Sequence, residues 1–231
     1  MQGWNWPGFF DYLTNPYLLE GAFTTLWLTA ASISIGLVAG FALAVLRLSK
    51  FKAFSLAASG YVWLFRGTPL LVQLIVIYTG LPQLGIRLSV VASALIGLSL
   101  NEAAYLAEII RAGIGAVPAG QSNAARALGL RDRQTMRYVV IPQALRIIVP
   151  PLGNSVNGLL KTTSITSVIS MEELLRRTQV LIQERFLVLE LFTVAALYYL
   201  AMTTCWDFVQ RAIERRFGRA YEQIGAATEQ R

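Results

Sequence analysis

The chain has no histidine and a single cysteine, Cys205. A disulfide framework within the chain and a His/Cys metal cluster are both excluded. It has no GxxxxGK[ST] run, so ATP hydrolysis must come from another chain. It has no GxSxG run either, and without histidine most pairings of a nucleophile with a base vanish. Charge is scarce as well. Charged residues make up 14% of the 231 positions, against about 25% in a soluble domain. Much of this surface never meets water.

What is present is apolar. Hydrophobic residues account for 55% of the chain, and the mean hydropathy is +0.53. The length suits one compact membrane domain. The net charge of +7 would point to nucleic acid in a soluble protein. Here the basic residues cluster at the ends of apolar stretches, where they mark the cytoplasmic side and no nucleic acid is expected. The segment Met1 to Asn15 has no Lys or Arg and carries Trp4, Trp6, Phe9 and Phe10. That composition fits an interfacial segment at the headgroups, not a cleavable signal.

A helix needs roughly 20 apolar residues to cross a bilayer. Gly21 to Leu46 is a charge-free run and the clearest span. Further spans are predicted over 54–81, 89–110, 138–160 and 186–206. They are interrupted by Arg66, by Glu102 and Glu108, by Arg146, and by Glu190 respectively. Charged side chains at membrane depth face a bundle interior or water. The expected class is therefore an all-α integral membrane protein, a bundle of five transmembrane helices with a polar interior. Gly36 and Gly40 stand at GxxxG spacing in the first span, a pattern for close helix packing.

The positive-inside rule orients the bundle. Arg47, Lys50 and Lys52 follow the first span. Arg111, Arg126, Arg131, Arg133 and Arg137 follow the third, and Arg211, Arg215, Arg216 and Arg219 the fifth. The opposite side has fewer, with Arg176, Arg177 and Arg185 in its last segment beside Glu172, Glu173 and Glu184. The balance places the N-terminus outside and the C-terminus in the cytoplasm.

The most informative stretch is the polar, basic loop 113–137 and the start of the next span. Ser122 is a good N-cap, Asn123 to Leu128 reads as a short helix, and Gly129 supplies its stop. So short a helix needs a partner surface to hold it. Asn123-Ala124-Ala125, then three residues, Gly129, nine residues, Val139, one residue and Ile141-Pro142 resembles the EAA signature of ABC importer permeases. Asn123 stands where that signature has Glu. Glu102-Ala103-Ala104 lies inside the third span and lacks the downstream spacing.

The resemblance covers most of the chain. Leu64-Phe65-Arg66-Gly67-Thr68-Pro69-Leu70-Leu71-Val72-Gln73 is similar to the second-span motif of polar amino acid permeases. Ala104-Tyr105-Leu106-Ala107-Glu108-Ile109-Ile110-Arg111 is similar to their third-span motif. Leu160-Lys161-Thr162-Thr163-Ser164 resembles their Leu-Lys-Asp-Thr-Ser motif, with Thr162 for Asp.

This family implies the five-helix, MetI-like core of a type I importer in a bacterial inner membrane. It also implies a second permease subunit, identical or paralogous, and two ATPase subunits below. An extracytoplasmic binding protein docks above and delivers a polar amino acid. The chain itself would hold no cofactor or metal, since ATP and Mg belong to the ATPase. The loop around residues 121–133 resembles the coupling helix, which makes Asn123, Ala124, Ala125, Gly129 and Arg131 its contact residues.

Candidate substrate contacts lie in the fourth span. Asn154, Asn157 and Lys161 recur at intervals of three and four and share one helical face, with Ser155 about 100° away. Asn supplies donors and acceptors for a zwitterion, and Lys161 a cation. The alternative is that the two Asn bridge helices. In the family this chain resembles, some relatives that carry cationic amino acids place an acid at the position of Ser155, so Ser155 mildly disfavours such a substrate. Glu108 and Arg111 form either a gate or an ordinary i,i+3 ion pair. Arg66 precedes Gly67 and Pro69, where the helix should bend. It pairs either with an acid across the bundle or with a backbone carbonyl. Met171, Glu172 and Glu173 belong either to a binding-protein contact or to a solvated helix.

Overall fold

The computed structural model describes residues 4–228, with side chains through residue 217. The outermost residues at both ends, and the side chain of Arg219, lie outside the described part. Every regular element among the described residues is helical.

A short helix, α1 (Trp6–Leu13), is the first element and carries Trp6, Phe9 and Phe10. Asn5 caps it by accepting from the Gly8 N–H at 2.9 Å. The Asn5 N–H in turn donates to Glu190 at 2.7 Å. Glu190, the charge of the predicted fifth span, thus sits in the first turn of the last helix. Helix α2 (Pro16–Arg47) is the charge-free span, started by Asn15 and by Pro16 at its first position.

Helix α5 (Val90–Gly115) packs along α2. Gly36 and Gly40 make that approach possible. A Cβ at Gly40 would fall 2.9 Å from the Leu106 Cβ and 3.0 Å from the Ala103 carbonyl. The GxxxG pattern is therefore a packing face.

The second predicted span is not one helix. Helix α3 (Lys52–Gly67) and the segment Leu70–Leu84 meet at a bend of 102°. The segment begins with α4 (Leu70–Ile75) and continues through a π turn and a 3-10 turn. The physical cause is local. Pro69 has φ −63° and Thr68 before it is extended at φ −118°, ψ 144°. Among the described residues four single helices are long and apolar enough to cross a membrane, and the bent pair makes up to five spans.

The predicted loop 113–137 is also shorter than the spacing implied. Helix α5 runs on to Gly115. Helix α6 (Ala119–Ala127) follows, and then α7 (Asp132–Thr135) leads through a π turn into α8 (Ile141–Thr162). The start of α6 differs from the reading of Ser122 as its cap. Pro118 precedes the first turn, and Ser122 lies inside the helix.

Helix α9 (Leu174–Arg185) ends in a left-handed Phe186, and α10 (Val188–Thr228) closes the chain, extending far beyond residue 206. The start of α9 is the best-tied part of the fold. Glu173 is fully buried. Its carboxylate accepts from the Leu175 and Arg176 N–H groups at 2.9 and 2.8 Å, and from the Tyr199 hydroxyl of α10 at 2.9 Å. Burial still holds the Glu173 carboxyl above the ordinary carboxylate range, because desolvation outweighs the three donors. The Leu174 N–H donates to Thr25 of α2 at 3.3 Å. Met171 and Glu173 are thus core residues of the segment between α8 and α10, and only Glu172 of that trio is exposed.

Candidate functional site

The bend between α3 and α4 would leave carbonyls without partners in an apolar medium. Side chains close that gap. The Gln73 amide donates to the Phe65 and Thr68 carbonyls at 2.9 and 3.1 Å. Asn101 of α5 donates to Phe65 O at 3.3 Å and to the Gln73 Oε1 at 3.1 Å. Irregular backbone at membrane depth is tolerated where side chains satisfy it and it borders a cavity.

Such a cavity lies here, about 530 Å³ in volume. The bend contributes Arg66, Gly67, Thr68 and Pro69; α5 contributes Asn101, Glu102 and Tyr105; α8 contributes Ser155, Gly158, Leu159 and Thr162. It holds a cation, an acid, an amide and hydroxyls, which is the donor and acceptor set for a small polar molecule.

The Arg66 guanidinium lies over the Tyr105 ring, 5.3 Å from its centroid. It also reaches Glu108 at 4.0 Å. Glu108 binds Arg111 and, from α2, Arg47. Glu108 and Arg111 are therefore an i,i+3 pair within a larger cluster in which three arginines from three helices surround one carboxylate. The charge across the bundle that Arg66 meets is Glu108.

Of the residues proposed on the fourth span, Ser155 reaches the cavity. Asn157 donates to Asp207 of α10 at 2.7 Å, and Asn154 accepts from Gln210 at 3.2 Å. Both amides thus join α8 to α10. Lys161 faces a separate, mostly apolar hollow with Ser164, Tyr199 and Leu200. The reading of sequence alone missed Asn101, Gln73 and Arg47, and it passed over Glu102. A polar residue every turn of an otherwise apolar α5 (Asn101, Glu102, Tyr105, Glu108) was the available signal.

In the loop, Gly129 has φ +86°. The Leu130 N–H bonds Ala125 O at 3.1 Å and the Gly129 N–H bonds Arg126 O at 2.9 Å, which is a Schellman stop. Ala125 is buried against its own chain, whereas Asn123 and Ala124 face outward and Leu128 is 82% exposed. Asn123 accepts from Arg126 at 3.3 Å, and Arg126 pairs with Asp132 at 3.0 Å. Arg131 is exposed and caps α7.

A bundle of apolar helices around a polar cavity, with one span broken beside it, defines a membrane transport subunit. The chain belongs to the family of binding-protein-dependent transport system inner membrane components, which matches residues 18–219. It is thus a multi-pass inner-membrane permease of the type I importer fold, not an enzyme, and it works with an ATPase and a binding protein. It is 39% identical over 202 residues to the arginine transport system permease protein ArtQ of Bacillus subtilis, covering 87% of this chain and 92% of that one. It is 38% identical over 202 residues to the probable amino-acid ABC transporter permease protein YckA of the same organism, covering 87% and 89%. A crystal structure of an amino acid ABC transporter with histidines matches with a TM-score of 0.88 at 38% identity, covering 93% of this chain and all of that one.

Proposed function

We propose that this permease carries a polar amino acid, as its relatives' names describe for them, and that the substrate passes through the cavity beside the broken helix. The observation that carries this reading is the lining. Arg66 and Glu102 place opposite charges on one cavity with the hydroxyl of Ser155. A zwitterion needs that combination, and a volume of about 530 Å³ admits an amino acid. Two permease subunits form the pathway, and the N-terminus lies outside with the C-terminus in the cytoplasm.

Coupling to the ATPase runs through α6. Asn123, Ala124 and Leu128 are its outward groups, and Gly129 and Arg131 fix where the chain turns. Asn154 and Asn157 serve this function through α10, by holding α8 in register with the cavity.

The test is ATP-dependent uptake. The permease is reconstituted in liposomes with its ATPase and binding protein and offered the common L-amino acids one at a time. Uptake of at least one, with matching stimulation of ATP hydrolysis, is the expected result. ATP hydrolysis and uptake that respond to no amino acid would overturn the reading.

A further inference from the structure

Glu102 has no role in the fold described so far. Its Oε2 is buried and has no hydrogen-bond partner, yet the residue lines the cavity. An ionised carboxylate without a donor is among the costliest groups to bury, and a native structure that keeps one has a use for it. At membrane depth that use is a ligand or ion on its path.

The nearby groups do not supply the donor. Asn101, its neighbour in sequence, spends its amide on Phe65 O and Gln73. Arg47 and Arg111 are bound to Glu108, and Arg66 rests on Tyr105 and Glu108. Nor does packing explain the carboxylate. The contact with α2 is made by the stem, since a Cβ at Gly36 would meet the Glu102 Cβ at 3.0 Å. Any residue with a Cβ provides that contact.

We infer that Glu102 is the ammonium-binding residue of this cavity, and that it takes the α-ammonium of the transported amino acid. The inference rests on the proposed passage of an amino acid through the cavity. A carboxylate only accepts hydrogen bonds and an ammonium only donates them, so each satisfies the other. Arg66 on the same cavity is donor-only and complements the α-carboxylate. An α-amino acid carries both groups on one carbon. A lone cationic side chain would bring nothing to Arg66, whose contacts would remain Glu108 and Tyr105. Specificity at this site therefore reads what all amino acids share.

The experiment measures equilibrium binding to the purified permease–ATPase complex. The probes are the amino acid that the wild-type importer takes up, and the 2-hydroxy acid of the same side chain, in which the ammonium is replaced by a hydroxyl. Wild type should prefer the amino acid by at least about tenfold, the scale of a hydrogen bond to a charged group. Glu102→Gln should weaken amino acid binding about 10- to 100-fold and leave the hydroxy acid unchanged. Glu102→Asp should retain most of the preference.

Equal wild-type affinity for the two probes overturns the assignment without any variant. So does a Gln variant that binds the amino acid within about twofold of wild type, or one that loses both probes equally. A loss confined to arginine and lysine, with neutral amino acids unaffected, would assign Glu102 to side-chain cations and contradict the α-ammonium. If the wild-type importer takes up no amino acid at all, the failure lies in the transport reading beneath this one.

Discussion

Two glutamates lie in the interior of this bundle in opposite conditions. At the start of α9 Glu173 has two backbone donors and a tyrosine hydroxyl. Beside the broken helix the Glu102 Oε2 has none. The first region joins α9 to α10 and α2, and its polar groups are spent on one another. The second is lined by polar groups that converge on a cavity. A buried charge with its partners in place holds structure together. One without them marks where a partner arrives.

The largest effect expected from this contrast is on stability. Glu173→Ala leaves three donors unsatisfied and removes a helix cap, costing about 3 kcal/mol. Glu102→Ala removes a half-buried carboxyl whose Oε2 has no partner and should cost nothing or stabilise. Thermal unfolding in detergent checks both, and equal losses would break the contrast.

Gln73→Leu probes the cavity side. It takes the side-chain donor from the Thr68 carbonyl and leaves the Phe65 carbonyl to Asn101 alone, at about 2 kcal/mol. Uptake should fall by more than the loss of folded protein, because the bend shapes the cavity wall. Uptake that tracks the folded fraction alone would make the bend merely structural.

Gly129→Ala strains a left-handed residue, a local cost of about 1 kcal/mol. The membrane bundle should keep its unfolding temperature while pull-down of the ATPase weakens. Unchanged pull-down would remove α6 from the coupling path.

The smallest effect is in pH. Burial raises the Glu173 carboxyl above its ordinary value. The stability this contributes is complete below the ordinary carboxylate range and is lost as pH rises through the raised value. Glu173→Gln should flatten that part of the pH–stability profile, and an unchanged profile would contradict the shift.

The apolar periodicity made the bundle legible. The charge-free run became α2, GxxxG became the α2–α5 face, and Gly67 with Pro69 marked the bend. The size of the bend was hidden, since proline breaks a helix without saying where the next one points. The cavity was only partly readable. Ser155 lies on it, while Asn154 and Asn157 share a face that turns to α10. Periodicity puts residues on one face but does not name the neighbour. Glu102 reads as a charge inside the third span that faces the bundle interior, but with no role, because a lone in-span charge does not say which cavity it meets. Arg47 belongs to the Glu108 cluster from a different helix, which no local pattern reveals.

The central claim is that substrate occupies the cavity beside the broken helix. Substrate protection of a single cysteine tests it most directly. The exposed Cys205 is first replaced by serine. Ser155→Cys is then placed on the cavity and Ser164→Cys on the separate hollow beside Lys161. In the assembled, transport-competent importer, the transported amino acid should slow thiol labelling at position 155 and leave position 164 unchanged. Labelling at 155 that ignores substrate, or protection found only at 164, would contradict the account.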